Sequence, residues 1–172
     1  RGRQEVQRAQ ELLGVKETFF MERFPAAELD TIPHYQVNEE LKKIINIVKP
    51  EMLFIPFNGD IHLDHQRVFS SSLVAARPNG SGFTPQSIYA YETLSETNWN
   101  APYLTPAFIP NIFIDISEFM DKKIRAMEEY RSQLKLFPHE RSIESIQALA
   151  TLRGSTIGVK AAEAFVLIRE IK

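Results

Sequence analysis

Hydrophobic positions change their spacing repeatedly along the chain, and each change marks an element. Val6, Ala9 and Leu13 recur at helical intervals over residues 3–13, with Gly14 placed to end the helix. Thr18-Phe19-Phe20, inside Lys16–Met21, reads as a short strand. Pro25, Asp30 and Pro33 break the polar connection that follows. Val37, Leu41, Ile44, Ile45 and Val48 share one face of an amphipathic helix that Pro50 stops. Met52-Leu53-Phe54-Ile55-Pro56-Phe57 is an unbroken apolar run between Pro50 and Asn58-Gly59, as expected of a buried strand. Helical spacing returns over 66–76 through Phe69, Leu73 and Ala76, and ends near Arg77-Pro78-Asn79-Gly80.

The same alternation continues. Ser87–Leu94 alternates its side chains like a half-buried strand. Residues 95–111 hold Trp99, Tyr103, three prolines and little periodicity, and an unpatterned stretch of that length inside a domain is usually functional. Asn111–Ile116 predicts a short strand, and Asp115 or Ser117 caps a helix with Phe119, Ala126, Tyr130 and Leu134 on its inner side. Pro138 ends that helix, another covers about 141–152, and Ala161, Phe165 and Ile168 predict a last one. Short alternation of helix and strand predicts one α/β domain over residues 1–172, a mainly parallel sheet covered by helices.

Against that pattern, Asn58-Gly59-Asp60-Ile61-His62-Leu63-Asp64-His65 stands out chemically. Two imidazoles and two carboxylates fall where a strand's carboxyl end turns into a helix, the edge at which open α/β sheets bind ligands. Imidazole is the commonest metal ligand, and a ligating ring needs a carboxylate or carbonyl to fix its tautomer. Histidines on a polar loop are also ordinary solvated surface, so the spacing alone leaves both readings open.

Composition narrows the classes. Twenty basic and twenty-two acidic residues give a formal charge of −2, with no basic excess for nucleic acid or an anionic membrane surface. There is no cysteine, which excludes disulfides, thiol catalysis and Cys-ligated zinc and suits a reducing, cytoplasmic setting. No apolar stretch approaches the roughly 20 residues of a membrane span. No Gly-x-Gly-x-x-Gly follows a strand, which argues against a dinucleotide-binding module.

Several stretches in series resemble the PIG-L/LmbE family of zinc-dependent sugar de-N-acetylases. They are Glu11-Leu12-Leu13-Gly14-Val15, Lys49-Pro50-Glu51-Met52-Leu53-Phe54 and Gly59-Asp60-Ile61-His62-Leu63-Asp64-His65, which carries His-x-Asp-His. Phe113-Ile114-Asp115-Ile116-Ser117 with Lys122-Lys123 and Ser132-Gln133, then Arg153-Gly154 and Gly158–Phe165, continue the series. The resemblance implies a Rossmann-like fold and hydrolysis of the N-acetyl amide of a GlcNAc-like sugar or conjugate. It implies that Zn2+ polarises the carbonyl and activates water, with His65 as one metal ligand. It further implies that His62 stabilises the oxyanion or protonates the leaving amine while Asp64 holds its ring. The family's His-Pro-Asp-Asp motif, source of the other ligands and the base, does not occur in this sequence. The expectation is therefore a chain that begins after the family's first strand and is inactive alone.

Other residues carry open alternatives. Asp60 contacts a sugar hydroxyl or makes the turn after Gly59, and Trp99, with Tyr103, stacks on a sugar ring or anchors its long loop. His139 reads as a capping residue, and Glu163 as paired with Lys160 or Arg153. The expected partner is a small N-acetylated amino sugar or its conjugate, with homo-oligomerisation left open. The rival reading is a catalytically inactive sugar-binding or scaffolding homologue.

Overall fold

A computed structural model describes residues 2–80 and 82–172. Two compact units emerge, each built from separate stretches of chain: Phe19–Ile112 with Phe165–Lys172, and the residues up to Thr18 with Phe113–Ala164.

The larger unit holds a 3-10 turn at Leu29–Thr31, then α2 (His34–Val48), β1 (Met52–Pro56), α3 (Leu63–Ala75), β2 (Ser87–Tyr91) and the short α4 (Leu94–Thr97), α1 (Gly2–Leu13) lying in the other unit. β1 and β2 pair in parallel, Met52 opposite Ser87 and Pro56 opposite Tyr91. The core is apolar side chains from both strands and both long helices: Ile45, Ile55, Phe57, Ala75, Ala76, Ile88 and Ala90, with Leu41, Phe69 and Leu73 packed against them. Most of the residues that set the predicted helical and strand periods are therefore the ones that meet. Phe54 stacks on Tyr89 across the pair, ring centroids 5.1 Å apart. Lys49 closes α2 in the left-handed region at φ 50°, its N–H bonded to Ile45 O at 2.8 Å.

Two expectations are corrected. Residues 162–168, predicted within a helix, belong to strand β4 (Ala162–Glu170), which runs antiparallel to β2 with Tyr91 opposite Phe165 and Ser87 opposite Glu170. Alanines at 161, 162 and 164 favour a helix in isolation, but the Phe165–Ile168 run gains more from burial against a neighbouring strand. The pairing here is thus mixed, parallel on one side of β2 and antiparallel on the other. Lys16–Met21 forms no strand. Strand propensity is realised through cross-strand pairs, and Thr18 Oγ1 instead donates to Gln10 Oε1 at 2.7 Å.

The smaller unit contains α1 (Gly2–Leu13), most of β3 (Ile112–Asp115), α5 (Met120–Glu129), α6 (Ile143–Ile157) and the first residues of β4. α1 packs on α5, where Ala9 and Ala126 are buried. Glu5 is buried beside them, and its carboxylate accepts from Ser132 N–H at 3.2 Å and Ser132 Oγ at 2.6 Å. Beside β3, Ile116 N–H donates to Ala161 O at 3.0 Å. Asp115 Oδ1 accepts from Ser117 Oγ and Ser117 N–H, which hold its carboxyl below the usual carboxylate range. Glu163 pairs with Lys123 of α5, where the sequence had suggested Lys160 or Arg153. His139 caps its own turn, Nδ1 accepting from Arg141 N–H at 3.0 Å.

Candidate functional site at the strand ends

β1 and β2 are parallel, so their carboxyl ends open on one edge. The chain leaves β1 through Phe57–Ile61 and leaves β2 through Glu92 and Thr93 into α4. The two exits are tied together. Ile61 N–H donates to Glu96 O at 3.2 Å, and Asn100 Nδ2 donates to Gly59 O at 2.9 Å and Asp60 O at 3.2 Å. Gly59 is required at this crossing, since a Cβ there would lie 2.3 Å from Pro106 O and 2.4 Å from the Phe57 ring.

α3 begins earlier than its apolar period suggests, with His62 as its N-cap. Nδ1 of His62 accepts from Asp64 N–H at 3.2 Å. This early start puts His65 in the first turn, and the rings of His62 and His65 stack with centroids 5.1 Å apart and planes 13° apart. The two imidazoles expected to share a site do lie side by side.

Their partners differ from those expected. Asp64 does not hold the His62 ring: its carboxylate accepts from Ala27 N–H at 2.6 Å and Leu29 N–H at 3.0 Å. A first-turn side chain is within reach of the preceding connection, and two backbone donors there compete successfully for the carboxylate. Asp60 is 0% exposed, which removes it as a sugar contact. Its Oδ2 lies 2.7 Å from His65 Nδ1 and its Oδ1 accepts from Thr97 Oγ1 at 2.6 Å. Thr97 and Asn100 were not singled out from the sequence. Nothing in their spacing links them to residue 60; the link exists only because β1 and β2 are neighbours.

These bonds assign the tautomers. A carboxylate only accepts, so neutral His65 carries its proton on Nδ1 and keeps a lone pair on Nε2. A backbone N–H only donates, so neutral His62 carries its proton on Nε2. The stacked pair thus presents one acceptor nitrogen and one donor nitrogen. Tyr91, at the end of β2, has its phenol pushed above its ordinary value by burial and then by the charge of Asp60. Trp99 is 67% exposed, one residue from Asn100.

His65, with a carboxylate on its far nitrogen, has the form of a metal-binding imidazole. Among the described residues, however, no three His, Asp or Glu side chains come together as a metal would require. A catalytic zinc takes three protein ligands, so the donors present fall short of a zinc centre.

Two parallel strands deliver a buried carboxylate and paired imidazoles to their carboxyl edge, the edge at which open α/β sheets bind ligands. Residues 1–76 match the family described as PIG-L, GlcNAc-PI de-N-acetylase. The fold is shared with a conserved protein of Thermus thermophilus, at a TM-score of 0.78 and 24% identity over 99% of this chain and 74% of that one. It is shared with the N,N'-diacetylchitobiose deacetylase of Pyrococcus horikoshii, at a TM-score of 0.73 and 23% identity over 96% of this chain and 62% of that one. The 4-carboxy-2-hydroxymuconate hydratase of Pseudomonas putida also matches, at a TM-score of 0.72 and 20% identity over 99% of this chain and 72% of that one. The chain resembles the PIG-L/LmbE family in sequence and in fold, and no helix among the described residues is long and apolar enough to cross a membrane.

Proposed function

We propose that the protein carrying this chain is a zinc-dependent hydrolase that removes the N-acetyl group from a GlcNAc-like sugar or its conjugate. The observation that supports this most is the stacked imidazole pair with opposite tautomers at the strand ends. In this reading His65 Nε2 is one zinc ligand, oriented by Asp60. A zinc centre there would need further donors beside it. His62 Nε2–H is the hydrogen-bond donor for the oxyanion that forms when water adds to the amide carbonyl. Its tautomer is held by the Asp64 backbone N–H, not by the Asp64 side chain. Trp99 offers an exposed ring to the sugar on the segment that Thr97 and Asn100 fasten to the site.

The test is paired substitution in the whole protein, with acetate release and zinc content measured together. His62→Ala is expected to lose about 100- to 1,000-fold in kcat, the usual cost of one oxyanion donor, while keeping its zinc. His65→Ala is expected to lose both. Full activity in His62→Ala would remove that residue from the chemistry, and zinc loss equal to that of His65→Ala would make it a ligand.

A second reading is an inactive sugar-binding homologue, favoured by the absence of a three-donor group among the described residues. Saturable sugar binding without acetate release from the whole protein would establish it.

A further inference from the structure

Asp60 can serve His65 only while its other oxygen is held. That oxygen, Oδ1, accepts from Thr97 Oγ1 at 2.6 Å, deep enough that the carboxylate has no exposed surface. Thr97 is constrained in turn: its Oγ1 accepts Thr93 N–H at 2.8 Å. A hydroxyl has one hydrogen, and with its lone pair facing the Thr93 amide that hydrogen is left to point at Asp60. The chain leaving β2 thereby sets the orientation of a carboxylate on the chain leaving β1. The sequence from Thr93 N–H through the Thr97 hydroxyl and the Asp60 carboxylate to His65 Nδ1–H leaves no donor reversed.

We infer that Thr97 is a positioning residue for His65, acting through Asp60 to keep the ring in its Nδ1–H tautomer with Nε2 unprotonated, a role that takes its meaning from the ligand-facing part proposed for His65. A threonine that merely capped the short α4 turn would leave the histidine indifferent to it. A relay makes a prediction with a sign. In Asp60→Asn, the Thr97 hydroxyl still has to donate, so the amide oxygen turns toward Thr97 and the amide N–H toward His65. Nδ1 then accepts, and the His65 proton moves to Nε2.

The measurement is long-range 1H–15N correlation of the imidazoles in the full chain, metal-free and 15N-labelled at histidine, recorded where the 15N shifts themselves report neutral rings. Wild type and Thr97→Ser are expected to show His65 Nε2 as an unprotonated nitrogen. Thr97→Val, which keeps the shape and loses the hydroxyl, is expected to raise the minor tautomer several-fold. Asp60→Asn is expected to invert the tautomer, and adding Thr97→Val to it to restore part of the original form by freeing the amide to turn over. If Thr97→Val does not fold, Asp60→Asn with and without Thr97→Ser carries the test, because serine preserves the donor and must preserve the inversion. A His65 tautomer unchanged in both Thr97→Val and Asp60→Asn, or an Asp60→Asn ring that keeps its proton on Nδ1, would overturn the assignment. The spectrum is independent of turnover. A tautomer that follows Thr97 in a protein releasing no acetate upholds the positioning role and removes the hydrolase reading; acetate release with a tautomer blind to Thr97 does the reverse.

Discussion

Two aspartates, four residues apart, exchange the parts their spacing suggests. Asp64 sits within His-x-Asp-His, yet its carboxylate is taken by the backbone of Ala27 and Leu29. Asp60, outside that motif, holds His65. Ala27 adopts φ 64°, a left-handed conformation that costs a residue with a Cβ about 1–2 kcal/mol, and the Asp64 carboxylate is what fastens it there. Asp64→Asn, which replaces one acceptor oxygen by a donor, should weaken this clamp by about 1.4 kcal/mol, the order of one charge-assisted bond. Hydrogen exchange at the Ala27 and Leu29 amides should then quicken about tenfold. Unchanged exchange would mean that the connection is held by something else. The sequence contained the candidate side chains, both imidazoles among them. It did not contain the pairing, because a carboxylate's partner depends on which backbone donors the fold brings near, and those lie 35 and 37 residues away.

Among the elements, α1, α2, β1 and α3 formed within a few residues of expectation; α5 did not, for it is capped at Phe119 and ends at Glu129, well short of the expected stop at Pro138. α2 combined five apolar positions on one face with a stop at Pro50. β1 was an unbroken apolar run with turn residues at its end. β4 was hidden, since Ala161, Phe165 and Ile168 satisfy a helical spacing while Phe165–Ile168 satisfies a buried strand equally well. Only the presence of β2 alongside decides between them. The end of α2 offers a test of local physics. Lys49 occupies the left-handed cap position where glycine is usual. Removing its Cβ relieves about 1–2 kcal/mol and gives back about 0.5–1 kcal/mol of unfolded-chain entropy. Lys49→Gly should therefore stabilise the protein by roughly 0.5–1 kcal/mol. Denaturant titration reads this directly, and a lower midpoint would show that the Lys49 side chain contributes more than its backbone costs.

For the molecule as a whole, the question is how much of the proposed hydrolytic centre 172 residues hold. The site lies within one compact unit, on the exits of two parallel strands, and brings together a donor imidazole and an acceptor imidazole. A single well-oriented imidazole binds zinc weakly, because each missing ligand leaves the ion exchanging with water. The isolated chain, loaded with zinc and passed through gel filtration at neutral pH, should emerge with far less than one equivalent of metal. Retention of a full equivalent would require a set of donors that the described residues do not bring together. Fold class was legible in the sequence because period and punctuation recur along its whole length. The completeness of the centre was not, since a ligand set is a property of three-dimensional proximity.

The bare α-carbon of Gly59 has a consequence beyond fitting a turn. Pro106 O and the Phe57 ring occupy the space where a side chain would begin, so the residues around Pro106 rest directly on the backbone from which Asp60 and the histidine pair follow. That contact makes the position a seam. The segment 102–110 reaches that turn through Pro106 O and the Phe108 ring, which packs on Phe57 at 5.1 Å, while its outward side chains, Tyr103 at 98% exposure among them, take no part in the contact. Variation of that outward surface is in this way separable from the turn beneath it. A methyl group at the seam would abolish the separation, turning every adjustment of the outer segment into a displacement of the turn that carries the imidazoles.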